Sequence, residues 1–567
     1  MKLKIWSLLL LVIFYSCTTE ENDLDESINP NSISFTEAIA NLEDKTGVII
    51  AENTVTFTEH LTIPENVILN FNVRDRMIIN AGVTVTINGI ISAGKFQIFE
   101  IAAGGKVNGC PQIEYVTPHW WGVDDTGTNP ISDIFQTSIE SFPCIKKFVA
   151  SGSFLVNKEI LLSVNGRHYD FNGSTFIGVT TGTDNGGLIT IGGRDFSIND
   201  KHSVEDVTLT GGTYIPKFNH DNSLGILHAK NIKISNVTIK GENSLRGIAM
   251  QNPNSTISSN PAIENVIIEN VIQTGGVNAI NIDINNGIAK NIVVDNIIAS
   301  SINEINPQAH ILDKEASFRI SSNGDHLRIK NLTISNVVLD DIYQGFELKG
   351  VKANISNVQI QNVEHRGINI QFPDVINLND IEITGVSNQT DAIVGVGPSA
   401  SLSNELNFSN IKVNGTFKRA IWNFIKNTRF NRLSISGNFM YGIDNNAKNS
   451  VYKDINISSS TSTLDYTAIY NAISGMDSNF SGTINGKYEY GIINAAKNSI
   501  MDFQINGSFS NAAVFTFFNG NGYSSIYKAY INLSDSSKHI NSYRTGDIYQ
   551  IYVYDATTDT YTLNPAP

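Results

Sequence analysis

The sequence predicts an all-β chain, a right-handed parallel β-helix preceded by a small β-rich N-terminal cap, and two interleaved phrases predict it. In the first, two Asn residues bracket alternating apolar positions, as in Asn231-Ile232-Lys233-Ile234-Ser235-Asn236. Successive copies start at Asn231, Asn265, Asn291, Asn331, Asn357, Asp380, Asn410, Arg432 and Asp454, 22 to 40 residues apart and clustering in the low twenties. The second phrase runs Arg246-Gly247-Ile248, Gln344-Gly345-Phe346, Arg366-Gly367-Ile368, Arg419-Ala420-Ile421, Tyr441-Gly442-Ile443 and Tyr490-Gly491-Ile492. Alternation gives each short strand one buried face, and β-branched Ile and Val favour strand over helix. A unit this short cannot bury its own apolar face and must stack on copies of itself. Leucine-rich repeats share the period, but their recurrent leucines are missing. The Asn residues are expected at tight turns, stacked coil over coil with their amides satisfying one another.

Taken in order, Met1-Lys2-Leu3-Lys4 and the apolar run Ile5 to Tyr15 have the charged and hydrophobic regions of a secretory signal, residues 1–16. The run is too short to span a bilayer as a mature helix. Phe14-Tyr15-Ser16-Cys17 resembles a bacterial lipobox, with Phe14 in place of the usual Leu, which implies a lipid anchor on Cys17. Residues 17–34, acidic from Glu20 to Glu26, are expected to form a disordered tether. Acidic residues directly after the lipidated Cys resemble the surface-export signal of Bacteroidetes lipoproteins. That resemblance implies the outer membrane, facing the cell surface, with the periplasm as the alternative. Cys17→Ala is then expected to release the protein from the membrane fraction.

Residues 35–115 read as the cap, with Val83 to Ile87 running into a turn at Asn88-Gly89. Residues 116–550 read as the β-helix and 551–567 as a C-terminal tail. Three cysteines cannot make a disulfide framework; Cys110 and Cys144 are either bonded or two buried thiols. A net charge of −15 argues against nucleic acid as a partner, so any anionic ligand needs a local basic patch. A monomer is expected.

Val116-Thr117-Pro118-His119-Trp120-Trp121-Gly122-Val123-Asp124-Asp125-Thr126-Gly127 leads into the helix-like Ile131 to Ser141 and then Phe148 to Leu155. This resembles the opening of the pectate-lyase superfamily of β-helix proteins, found in polysaccharide lyases, family 28 glycosidases and phage tailspikes. His119 stands where that family commonly has Glu, and Asn129-Pro130 where it has an Asp pair. Trp120 and Trp121 are expected to pack, not to hold sugar. The resemblance implies an anionic polysaccharide or oligosaccharide as partner, bound along one parallel sheet between loops inserted at the longest repeats.

Those insertions fall around Gln251 to Pro261 and Ser301 to Ser317. Near them lie Arg246, Asp283, His310, Arg319, His326, Glu347, Lys349, His365 and Arg366. Aligning the second phrase places Ile248, Phe346, Ile368 and Ile421 inward, so Glu347, Lys349, Asn369, Gln371 and Trp422 should face outward. β-Elimination on a uronate requires neutralisation of its carboxylate, a base for the C5 proton and an acid for the leaving oxygen. Lys349, Arg366, His365 and Arg319 are the candidate catalytic residues. Arg246, Asp283, His310, His326, Glu347, Asn369 and Trp422 are the candidate substrate-binding residues. Lys349 with His365-Arg366 on the next coil resembles the Lys and Arg-His pair of family 6 lyases, although registration puts Gln371, not Arg366, beside Lys349.

Two alternatives stand beside the lyase or terminal-uronate dehydratase. A family 28 hydrolase needs paired carboxylates; Asp340-Asp341 is such a pair, but adjacent strand residues point to opposite faces. A non-catalytic glycan binder needs aromatic platforms, which Trp422, Tyr441, Tyr470 and Tyr490 could supply unless they are stacking ladders. No cofactor is assigned; calcium held by carboxylate oxygens is an alternative neutraliser, although no linear calcium loop is visible.

Overall fold

A computed structural model describes residues 26–28, 35–43, 46–50, 54–179, 187–192, 203–217, 222–241, 245–251, 261–285, 287–302, 315–322, 327–396, 404–459, 466–516, 525–532, 540, 547–555, 558 and 560–564. The chain divides into two compact units, Met1–Ile113 and Glu114–Pro567. Cys17, His310 and His326 lie outside the described residues. Among the described residues no helix is long and apolar enough to cross a membrane.

The segment expected as a β-rich cap is itself coiled. In the N-terminal unit three small parallel sheets repeat with steps of 20 to 24 residues: Gly47 pairs with Val67, Thr54 with Arg76, and Leu61 with Val85. Alternate residues are buried in Arg76–Ile79 and in Thr84–Ile87, the strand that the alternation predicts. Glu26–Ile28, inside the segment expected to be a disordered tether, pairs parallel with Gly47–Ile50.

The C-terminal unit opens with a short 3-10 turn, Pro118–Trp121, and a helix, Ser132–Glu140. Trp120 and Trp121 are buried, and Trp121 packs on Phe142 with ring centroids 6.0 Å apart, which removes both as sugar platforms. His119 is buried too, bonded to Thr117 at 2.7 Å and 3.3 Å from Asp125. The fully buried Arg167 guanidinium donates to the carbonyls of Ile139, Phe142 and Ile145, satisfying acceptors at and beyond the helix end. Cys110 and Cys144 are both disulfide-bonded.

From Thr126 to Asp555 the strands pair parallel, each coil lying on the next. One coil shows the cross-section: Leu332 to Ser335 form one face, Asn336 a corner, Val337 to Asp340 a second face, Asp341 a corner, and Gln344–Lys349 the third. The corner residues adopt left-handed backbone, with φ of 55° at Asn336 and 52° at Asp341. Asn and Asp tolerate that conformation better than other side chains with a Cβ. The corner amides form ladders as expected: Asn265 donates to Asn231 at 2.8 Å, Asn291 to Asn265 at 2.9 Å and Asn331 to Asn291 at 3.1 Å.

Register corrects one detail of the repeat reading. Ser335 pairs with Ser356 and Val337 with Val358, so Asn357 lies over Asn336 and not over Asn331; its Nδ2 donates to Asn336 Oδ1 at 2.6 Å. The copies starting at Asp380, Asn410, Arg432 and Asp454 continue this second corner. Asn serves at both corners for the same conformational reason, so the phrase alone does not tell them apart. The expected tail also differs: Ile548–Asp555 pairs antiparallel with Thr560–Asn564.

Candidate functional site

The third face is built from the second phrase. Its leading column runs Asn222, Arg246, Asn278, Ala316, Gln344, Arg366, Asp391, Arg419, Tyr441, Thr467, Tyr490 and Ala512. Two residues on, an inward column passes through Ile248, Ile280, Phe318, Phe346, Ile368, Ile393 and Ile421. The next column faces outward: Asn281, Arg319, Glu347, Asn369, Val394, Trp422, Asp444, Tyr470, Ile493 and Phe515. Two residues further lies a second outward column, Asp283, Ser321, Lys349 and Gln371.

Among the described candidates, Glu347, Asn369, Lys349 and Gln371 therefore share one sheet face on two adjacent coils. Asp283 lies two coils from Lys349 in the same column, and Arg246 lies four coils from Arg366 in the leading column, about 19 Å at ordinary strand spacing. Lys349 and Arg366 are not neighbours. Their columns are five residues apart, about 16 Å of strand. Arg319 is committed to Glu315, with NH1 to Oε2 at 3.2 Å. Lys349 Nζ lies 5.9 Å from the Phe372 ring centroid.

Several polar atoms on this face are buried without a hydrogen-bond partner among the described residues: Arg246 Nε, Asn281 Oδ1, His365 Nδ1, Arg366 Nε and Asn369 Oδ1. Asn281 and Asn369 have outward parity yet are only 0% and 5% exposed. His365 lies flat on Tyr343, with ring centroids 4.9 Å apart and planes 3° apart. Burial, reinforced by the neighbouring Arg366 charge, pushes the His365 imidazole pKa down, which favours its neutral form.

Sequence reasoning missed a charged network on the next three coils. Arg419 donates from Nε and NH2 to Asp391 at 2.5 and 3.4 Å and from NH1 to Asp444 at 3.1 Å. Asn446 donates to the other Asp444 oxygen at 2.6 Å, so all four carboxylate oxygens accept hydrogen bonds. The guanidinium stacks 3.4 Å from the Trp422 ring centroid. Burial pushes the Asp444 carboxyl pKa up against the opposing effect of Arg419. The signal was available: Asp391-Ala392-Ile393 is a copy of the second phrase with Ala in place of Gly.

These contacts bear on the hydrolase chemistry. Asp341 is a corner residue accepting from Ser301, and Asp340 accepts from Asn362, so this pair belongs to the coil edge. Asp391 and Asp444 share one guanidinium and hold it in place. Among the described residues no group of three or more His, Cys, Asp or Glu comes together that could hold a metal ion.

No protein-family model matches the chain, and comparison with curated proteins finds no match. Among solved structures it is similar to the family 28 exopolygalacturonase of Yersinia enterocolitica, at 11% identity and TM-score 0.36, over 74% of this chain and 78% of that one. It is also similar to the A-module of the Azotobacter vinelandii mannuronan C-5 epimerase AlgE6, at 12% and 0.35, over 76% and 100%. A third is the Streptococcus pneumoniae surface adhesin PfbA, at 13% and 0.36, over 73% and 100%. These likenesses carry no argument about activity; the class of this protein, a parallel β-solenoid, rests on its own strand pairing.

Proposed function

We propose that the C-terminal unit acts on a uronic-acid-containing polysaccharide or oligosaccharide by β-elimination, on the face bearing Lys349, His365, Arg366 and Asn369. One observation carries the reading. Among the described residues three buried polar atoms of one coil, His365 Nδ1, Arg366 Nε and Asn369 Oδ1, have no hydrogen-bond partner, and Lys349 lies on the adjacent coil opposite Gln371, two residues along from Asn369. Buried polar groups are ordinarily paired, and the hydroxyls and carboxylate of a uronate supply the matching donors and acceptors.

In this scheme Arg366 neutralises the C6 carboxylate and stabilises the enolate that forms as the C5 proton leaves. Neutral His365 takes that proton and becomes imidazolium. The C4–O bond breaks as the C4=C5 double bond forms, and Lys349, from the opposite edge of the sheet, gives a proton to the departing oxygen. A base and an acid on opposite edges suit anti elimination. If the departing oxygen belongs to a sugar the enzyme is a lyase; if it is the free 4-hydroxyl of a terminal uronate it is a dehydratase.

The test is the ultraviolet absorbance of an unsaturated uronate after incubation with acidic polysaccharides. Lys349→Ala and Arg366→Ala should each lower turnover by about a hundredfold or more. The rate should rise with pH through the lowered His365 pKa, below the usual 6.5. Near-normal turnover in both variants would discard the assignment and move attention to Arg246, Arg319, His310 and His326. New reducing ends without an unsaturated ring would instead favour hydrolysis.

A further inference from the structure

Beyond Val394 the outward column changes character, from Asn281, Arg319, Glu347 and Asn369 to Trp422, Asp444, Tyr470, Ile493 and Phe515, with Tyr441 and Tyr490 in the leading column beside it. Ring geometry separates these aromatics from the ladders inside the solenoid. Phe408, Phe430, Tyr452 and Phe480 stack coil on coil at 4.1 to 4.9 Å, with planes 3 to 8° apart. All four are at most 3% exposed. On the outside, Tyr441 and Tyr470 meet at 5.7 Å and 49°, and Tyr490 and Phe515 at 5.2 Å and 49°. Tyr441, Tyr470 and Tyr490 are partly exposed, and each is tilted against the ring it meets on the neighbouring coil and not stacked flat on it.

Charge differs as well. Two carboxylates on one guanidinium leave the Asp391–Arg419–Asp444 network with one net negative charge, and from Trp422 to Phe515 these two columns hold no other Lys or Arg. A uronate is repelled there. A neutral pyranose, with apolar ring faces and hydroxyls at its rim, matches aromatic faces bordered by polar groups. The ion network holds Arg419, and through it the Trp422 ring, in one orientation, which reduces the entropy lost on binding.

Resting on the reading that this face holds a glycan, we infer that the stretch from Trp422 to Phe515 binds neutral sugar residues, so that the substrate joins uronate to neutral sugars and is not a homouronate. The test measures equilibrium binding by calorimetry with the full chain carrying Lys349→Ala, so that probes are not consumed. The probes are oligogalacturonate and, at matched length, fragments of rhamnogalacturonan and of glucuronoxylan. At least one mixed probe should bind tenfold or more tighter than oligogalacturonate, and Tyr470→Leu with Tyr490→Leu, which keep apolar volume but remove the rings, should abolish that preference. The thermal midpoint of the double variant controls for folding, and Tyr470→Phe with Tyr490→Phe should restore the preference. Equal or tighter binding of oligogalacturonate, no binding of any probe, or a preference surviving in the Leu variant would overturn the inference. Binding is read without turnover: a preference with no elimination in the wild type counts against the elimination alone, and elimination with no preference counts against this inference alone.

Discussion

Two stretches of the same sheet invert each other. Before Gly395 the inward column is aliphatic, passing through Ile226, Met250, Ile282, Ile320, Leu348 and Ile370, while the outward column beside it is polar from Asn281 to Asn369. After Gly395 the inward column becomes Asn423, Asn445, Asn471 and Asn494, and the outward one becomes largely aromatic. The inward Asn residues are at most 2% exposed, and each donates to the next, at 3.1, 2.8 and 2.8 Å. What the interior of a solenoid selects is therefore not apolarity but satisfaction. An amide stacked on an identical amide loses no hydrogen bonds on burial, whereas an isolated one would.

The largest expected effect tests the charged network that separates the two stretches. Arg419→Ala leaves Asp391 and Asp444 buried without their cation, and breaking such a pair costs about 3–5 kcal/mol. Arg246 occupies the same leading column but has no ion pair among the described residues, so Arg246→Ala should cost about 0.5 kcal/mol or less. Both are read from thermal and urea unfolding. Equal losses at the two positions would show that the contrast between the stretches is not electrostatic.

A smaller effect is expected from exchanging residues within the inward column. Asn445→Leu removes the acceptor of Asn423 Nδ2 and of the buried Tyr452 hydroxyl and the donor to Asn471 Oδ1 and Ala447 O, while Asn423 keeps its bond to Ser450 and Ala447 O keeps those from Ser450 and Ser478. A net loss of about 2 kcal/mol follows. Leu348→Asn places a lone amide between Ile320 and Ile370 and should cost a similar amount. If Leu348→Asn is neutral, the aliphatic stretch is loosely packed and the inversion has no energetic basis.

How much of this was legible depends on which rule each residue obeys. Period-two alternation gave the parity of Phe346, Glu347, Lys349 and Trp422 correctly, because parity is a property of the backbone. The same rule marks Asn423, Asn445, Asn471 and Asn494 as inward, two residues after Ile421, Ile443, Ile469 and Ile492, but an expectation of apolar interiors hides it. Parity does not give burial: Asn281 and Asn369 have outward parity and are nevertheless covered, which depends on the rest of the coil. Nor does proximity in sequence give proximity across a sheet, since Lys349 and Arg366 lie on adjacent coils yet at opposite ends of their strands. Asp391 is not marked by the phrase, whose first residues are Arg, Gln and Tyr, whereas the leading column also accepts Asn, Asp and Thr.

The smallest expected effect is a difference in sign between the two stretches as pH changes. His365, in the polar stretch, has a folded pKa below the usual 6.5, so between that lowered value and 6.5 the unfolded chain binds more protons than the folded one. Stability should therefore rise with pH across that window and fall as pH drops through it. Asp444, in the aromatic stretch, has a folded pKa above the usual 3.8, so between 3.8 and that raised value the folded chain binds more protons, and stability should fall as pH rises. His365→Gln should flatten the first slope and leave the second, and Asp444→Asn should do the reverse, as read from thermal midpoints across mildly acidic pH. A single variant that flattened both slopes would mean that the two groups titrate as one system, and the separation of the face into two electrostatically distinct stretches would not hold.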